Sequence, residues 1–262
     1  MSKYWVTKLV VVFFLVGLSL VGNRAWAEDS VRVFCSEGPS FPVHQAAAEF
    51  SKIHGVKVDV TDGPPPQWLD RAAKEADVVF ASAGFMMSEF LATEALHIEG
   101  DTVTPLYVRP SALLVRPGNP QHIADFPDLL KPGIRIMVVS GSGQTGLWED
   151  MAGSQGDVAV IEKFRRNVVY FAPNSTQAVR VWKERKDIDV WVTWNIWHSP
   201  MRKYAEVVPV SEKYRVYRHC SAALTKRGAG SALAKQFLAY LKSKEVLAFF
   251  TEWGWSQSGS QK

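Results

Sequence analysis

Residues 134–150, I-R-I-M-V-V-S-G-S-G-Q-T-G-L-W-E-D, combine residue types and spacing that suit anion binding. An apolar, β-branched run at 134–139 stops at Ser140-Gly141-Ser142-Gly143, and Leu147-Trp148-Glu149-Asp150-Met151 reads as the start of a helix. A strand that turns through glycines into a helix N-terminus offers unpaired N–H groups and the positive end of the helix dipole. Gly143 and Gly146 let the backbone approach a ligand, and Gln144 and Thr145 add an amide and a hydroxyl. Gln144, Thr145 and Gly146 are the leading ligand-binding candidates, with Gly143 a further one. The spacing of Gly141, Gly143 and Gly146 also satisfies G-x-G-x-x-G, the dinucleotide fingerprint. However, the next predicted strand, 167–172, ends in Pro173-Asn174 with no acid to hold a ribose. Leu147-Trp148 stand where a phosphate-binding loop needs Lys-Ser/Thr, so both nucleotide readings are disfavoured. The bland alternative is a glycine-rich turn with no ligand.

Other loops of the same kind follow other strands. Gly38 and Ser40 come after the first predicted strand, Ser82 after the third, and Asn174 and Ser175 open a helix after Pro173. Each is a ligand contact or simply a helix cap, and one residue can be both. Arg109 and Ser111 lie on an extended, proline-punctuated segment at 104–117 and flank Pro110. An arginine there could grip a carboxylate or phosphate by a bidentate fork, or be a surface residue paired with an acid. Trp191, Trp194 and Trp197 read as core, with Trp194 also a candidate for lining a cleft. Catalysis finds little support. The six histidines show no metal-binding spacing, there is no G-x-S-x-G elbow, and neither a metal nor a cofactor is expected.

Those loops need elements to hold them. Residues 31–36, 56–60 and 77–81 read as strands, alternating with helices at 43–54, 67–75 and 82–91, with Ser40 placed to cap the first helix. A βαβαβ order implies a parallel sheet with its loops at the strand C-termini. A second set follows, with strands at 134–139, 167–172 and 188–193 and helices after 146, near 158–166 and at 177–186. Segments 206–209 and 214–226 are extended again and could carry the chain back. Helices at 231–241 and 244–250 close it. The pattern predicts two doubly wound lobes, 28–108 with 215–262 and 109–214, hinged about a ligand cleft.

Residues 1–27 read as a secretion signal: Lys3 and Lys8, an apolar run at 9–22, and Ala25-Trp26-Ala27, with cleavage expected after Ala27. The formal net charge of the whole chain is +4. Lys3, Lys8 and Arg24 carry three of those charges and residues 1–27 hold no acid, so the mature chain is near +1. That leaves no electrostatic footprint for nucleic acid. The expected product is soluble and periplasmic, or exposed at the surface or secreted. Cys35 and Cys220 could form a disulfide in that oxidising compartment, or remain separate buried thiols.

Five stretches resemble the accessory colonisation factor C family: G-S-G-Q-T-G-L-W-E-D-M-A (141–152), L-Y-V-R-P-S-A-L-L-V-R-P-G-N-P (106–120), D-F-P-D-L-L-K-P-G-I (125–134), D-G-P-P-P-Q-W (62–68) and W-V-T-W-N-I-W (191–197). That family belongs among the sulfate/molybdate-type periplasmic solute-binding proteins and is similar to adhesin-associated surface antigens of enteric bacteria. The resemblance implies a type II periplasmic-binding-protein fold and a sulfate-like oxyanion, small carboxylate or phosphorylated acid as ligand. It also implies an ABC permease partner and, in some relatives, a homodimer. The loop at Gly38-Pro39-Ser40 departs from the paired serines of molybdate binders. The rival expectation is an adhesin or colonisation factor on the same fold.

Overall fold

The computed structural model describes residues 30–257, so the expected signal at 1–27 lies outside the described residues. The first α/β set comprises β1 (Ser30–Cys35), α1 (Ser40–His54), β2 (Lys57–Asp62), α2 (Leu69–Glu75), β3 (Val78–Ala81) and α3 (Gly84–Ala92). The long strand β4 (Thr104–Val115) leads to the second: β5 (Ile136–Val139), α4 (Leu147–Gly153), α5 (Val158–Asn167), β6 (Val168–Ala172), α6 (Ser175–Glu184) and β7 (Val190–Trp194). After α7 (His198–Met201) and β8 (Glu206–Pro209), β9 (Tyr217–Leu224) returns to the first set. There α8 (Lys226–Ala229), α9 (Ala232–Tyr240), α10 (Lys244–Glu252) and β10 (Ser256–Gln257) complete it.

Strand order follows from these connections. β1 lies between β2 and β3, parallel to both, as the alternating strands and helices require. β9 joins β3 antiparallel, and β4 pairs with β9 from Thr104 to Pro110. At Ser111 β4 changes partner and runs antiparallel to β7 through Val115, with β8 on its other side. Proline has no N–H to give a ladder, so Pro110 is a natural place for that pairing to end. β5 then lies parallel to both β7 and β6. The molecule is two doubly wound lobes that share β4. The return is fastened at the same point: the Ser111 N–H donates to the Val216 carbonyl (2.8 Å) and the Val216 N–H to Ser111 Oγ (3.0 Å).

Both faces of the sheet are covered. One core cluster runs through both lobes, including Phe50, Phe80, Trp182, Trp191 and Phe250. A second, with Phe34, Trp68, Val79, Met86 and Phe90, fills the other face of the first lobe. Arg116 fixes the far end of α6. Its guanidinium donates to the carbonyls of Ile188 (2.7 Å), Trp182 (3.0 Å) and Arg185 (2.6 Å) and lies 3.6 Å above the Trp182 ring. No helix among the described residues is long and apolar enough to cross a membrane.

One expectation needs correction, and the choice left open for the two cysteines is decided. The first helix starts at Ser40 itself, and Ser40 Oγ donates to the Glu37 carbonyl (2.9 Å) instead of capping the helix N–H groups. Cys35 and Cys220 are free and buried, not bonded. β3 lies between β1 and β9, and two strand spacings of about 4.8 Å exceed the Cα separation a disulfide can span. Burial raises the Cys35 thiol well above its ordinary pKa and pushes that of Cys220 up to about 12, which makes both inert. Unreduced protein in denaturant should therefore titrate for both thiols, and reductant should leave the melting temperature unchanged. A lower melting temperature after reduction would restore the bond. Arg116→Met should cost about 2–3 kcal/mol in chemical unfolding, because three carbonyls lose a charged donor.

Candidate functional site

Arg109 lies on β4 just before the partner switch and is completely buried. Its guanidinium lies over the rings of Trp194, at the end of β7, and Trp255, just before β10, at 4.5 Å from each centroid. Nη1 reaches the Arg218 carbonyl only at the long distance of 3.5 Å, and Nε has no hydrogen-bond partner among the described residues. Burial pulls its pKa down to about 9. The Cys220 thiol opposes this and the Arg218 charge adds to it. It is still a cation at neutral pH. The two aromatic faces return about 2 kcal/mol each at best, whereas an uncompensated buried charge costs several. Within the described residues the charge is left without an opposite one. The alternative of a surface arginine paired with an acid is excluded by this burial.

The glycine loop after β5 meets Arg109 where the two lobes join. After β5, Ser142–Gln144 forms a 3-10 turn, and Gly146 adopts a left-handed conformation (φ 72°) ahead of α4. Gly143 and Gln144 are buried, while Thr145 is exposed and its Oγ1 folds back to the Ser142 carbonyl (3.2 Å). A Cβ at Gly143 would lie 2.1 Å from Ser82 Oγ in the first lobe and 3.2 Å from Arg109 Nη2. Glycine lets the chain approach Ser82 here without displacing its side chain. The Gly143 carbonyl accepts from Trp194 Nε1 (3.2 Å), which holds the loop against the indole that covers Arg109.

The other candidates fall into place around this contact. Gly38 packs on Ser82, where a Cβ would stand 3.2 Å from the Ser82 Cβ. Gln144 Nε2 donates to Ser175 Oγ (2.8 Å), and Asn174 caps α6 by accepting from the Gln177 N–H (2.8 Å). Gly38, Ser82, Arg109, Gly143, Gln144, Ser175 and Trp194 thus form one connected set. Ser40, Thr145 and Asn174 line cavities beside it. Ser40 shares a 310 Å³ cavity with Glu37 and Thr176, and Thr145 and Asn174 share a 450 Å³ cavity with Pro64, Met86 and Phe90. Each cavity is walled by both lobes. Gly146 stands 3.7 Å from Arg218 Nη2, measured from a Cβ position, and Ser111 is engaged in the strand crossover.

Four residues that complete the site carry no sequence signal of their own. Arg218 on β9 donates to the Thr145 carbonyl and to Asp150 across the seam, both at 2.7 Å. Glu37 accepts from the N–H (2.7 Å) and hydroxyl of Thr176 at the start of α6. Trp255 forms the second wall around Arg109. Glu37 and Thr176 each adjoin a predicted candidate, which is the only hint of them in the sequence. Among the described residues no cluster of His, Cys, Asp and Glu could hold a metal ion.

The chain matches the family described as bacterial extracellular solute-binding protein over residues 31–256. Among solved structures it is similar to PEB3 from Campylobacter jejuni, with 31% identity over 87% of this chain and 99% of that one and a TM-score of 0.78. PEB3 with L-phospholactate bound gives a TM-score of 0.79 at the same identity and coverage. The sulfate-binding protein SubI from Mycobacterium tuberculosis is 17% identical over 88% of each chain with a TM-score of 0.75, a likeness of fold. No curated protein matches in sequence. The fold is that of the type II periplasmic binding proteins. Gly143→Ala should weaken solute binding by at least about tenfold, since its Cβ holds the lobes apart, while unliganded stability changes by less than about 1 kcal/mol. Calorimetric titration beside chemical unfolding checks both. Unchanged affinity would mean that the lobes need not meet at Gly143.

Proposed function

The chain belongs to the bacterial extracellular solute-binding proteins, and we propose that it closes over a small anion in the seam between its lobes. The solute is a sulfate-like oxyanion, a small carboxylate or a phosphorylated acid. The observation that carries this reading is Arg109: a guanidinium fully withdrawn from water, lying over the rings of Trp194 and Trp255, with Nε unpaired among the described residues. An anion supplied from outside is the partner that such a group lacks. Support also comes from PEB3, whose structure with L-phospholactate shares 31% identity with this chain, and from the fold shared with sulfate-binding SubI.

In this reading the lobes divide at 108/109 and 214/215, close to where β4 exchanges β9 for β7 and the return is tied to Ser111. Opening there would expose Arg109. Closing would bring Ser82 and Glu37 of one lobe against Gly143, Gln144, Ser175 and Thr176 of the other. The solute is held rather than transformed, and is then passed to an inner-membrane permease or sensed. Export with cleavage after Ala27 fits the extracellular character of the family. Placement with the accessory colonisation factor C proteins rests on the sequence motifs.

Thermal unfolding of residues 28–262, stripped of carried-over ligand, tests the reading against sulfate, molybdate, phosphate, citrate and phosphoglycerate. An anion at a hundred times its Kd adds about 2.7 kcal/mol, or about 5–10 °C for a chain of this size. At least one anion should give such a rise. Arg109→Met should abolish it while the unliganded variant melts within about 3 °C of the wild type, because a buried charge is lost along with its hydrogen bond. A rise that survives in Arg109→Met would remove Arg109 from the site.

A further inference from the structure

The end of the second lobe away from the glycine loop carries a groove that the anion reading does not use. Pro127, Leu130, Lys131, Pro132, Lys163 and Arg166 line a 640 Å³ cavity there. Gly133 precedes β5 and Asn167 precedes β6, and both also line it, so it lies at the N-terminal ends of these strands. Gly143, Gln144 and Ser175 follow the opposite, C-terminal ends. The groove is held in shape by its own hydrogen bonds. Residues 126–130 form a 3-10 helix fixed by a capping box between Asp125 and Asp128. Asn167 Nδ2 donates to the carbonyls of Leu129 and Lys131, both at 2.7 Å, which ties that helix to the end of α5. The two walls differ in character. One is apolar, from Pro127, Leu130 and Pro132, whereas α5 contributes Lys163 and Arg166, which are exposed and make no ion pair among the described residues. No carboxylate lines the groove. Asp128, just outside it, already holds Lys131 Nζ (2.6 Å) and the N–H groups of Ala124 and Asp125. The dipole of α5 favours a cation in its last turn, which accounts for Arg166 but not for the apolar wall beside it.

We propose that this groove docks an extended, acidic segment of a partner protein in which carboxylates alternate with apolar side chains. Lys163 and Arg166 stand three residues apart on α5, so their Cβ atoms are about 5–6 Å from each other. In an extended chain alternate residues point the same way about 6–7 Å apart, and the residue between them points the other way. Two acids of a Glu-x-Glu segment therefore face the two cations, while the side chain between them lies on Pro127, Leu130 and Pro132. Charge sets the attraction and the apolar wall sets the register. Every lining residue comes from the second lobe, so docking requires neither the solute nor closure of the lobes.

Fluorescence anisotropy with labelled pentapeptides and the protein of residues 28–262 tests this. The probe is Glu-Leu-Glu-Leu-Glu, with Gln-Leu-Gln-Leu-Gln lacking the charge and Glu-Gly-Glu-Gly-Glu lacking the apolar side chains. The probe should bind at least about tenfold more tightly than either control. Its affinity should fall at least about fivefold when salt is raised from roughly 50 to 300 mM. Lys163→Glu and Arg166→Glu should each weaken the probe at least about fivefold, because like charge then faces its carboxylates. Both side chains are exposed, so the melting temperature and its response to small anions should stay as in the wild type. No binding of the probe, or equal binding of all three peptides, overturns the proposal. Undiminished binding in both glutamate variants removes it from this groove. Two further outcomes also overturn it. One is binding to phosphatidylglycerol vesicles, lost in the variants, without binding of the probe. The other is self-association lost in the variants, which makes the occupant a second copy. Should a glutamate variant not fold, Lys163→Gln and Arg166→Gln should each weaken the probe at least about twofold, and no weakening overturns the assignment.

Discussion

Taking a guanidinium out of water without giving it an acid is among the costlier things a fold can do, and the architecture around Arg109 can be followed from that cost. The charge sits on β4 at the boundary between the lobes, two residues before the strand changes partner. One indole wall comes from β7 in the second lobe and the other from the chain's last strand region. No single lobe could bury it. The desolvated state exists only when β4, β7 and the segment before β10 converge, so the geometry of the charge and the geometry of closure are the same thing.

The seam around that charge is made from contacts that are individually modest. A typical net hydrogen bond is worth about 1 kcal/mol, and somewhat more when one partner is ionised. Glu37 on Thr176 and Arg218 on Thr145 and Asp150 each bridge the lobes in this way, flanking the close approach of Ser82 and Gly143. Such contacts suit a reversible clamp. Their sum is comparable to the binding energy of a small solute, so in the proposed closure the solute would decide the balance between open and closed forms. A large apolar interface in the same place would hold the lobes shut regardless.

Most of the lobe plan was legible because it rests on local patterns. Apolar runs ending in glycine or proline marked β1, β3, β5 and β6, and the prolines at 105 and 110 marked the crossover. The short elements α7, α8 and β10 were not foreseen, because a turn of helix or a pair of strand residues leaves no periodicity to read. Ser40 shows the limit of capping rules: once the helix begins at the serine itself, its hydroxyl has a nearer carbonyl to serve. The site divides in the same way. Gly38, Ser82, Gly143 and Ser175 were visible because each follows a strand directly. Arg109 was visible as a lone cation in an apolar segment, but its burial was not, since both indoles come from distant positions. The pairings of Glu37 with Thr176 and of Arg218 with Asp150 join opposite lobes, and no local pattern encodes them. The disulfide question turned on strand order, which composition and spacing leave open.

The placement of Trp255 makes the dryness of Arg109 depend on a distant piece of chain. The indole lies far along the chain from Arg109, next to a strand that docks antiparallel onto Val108 and Tyr107. Without that docking, one of the two indoles over the guanidinium is missing and water can reach the charge. Fraying of this two-residue strand would therefore re-solvate the arginine while both sheets stay intact.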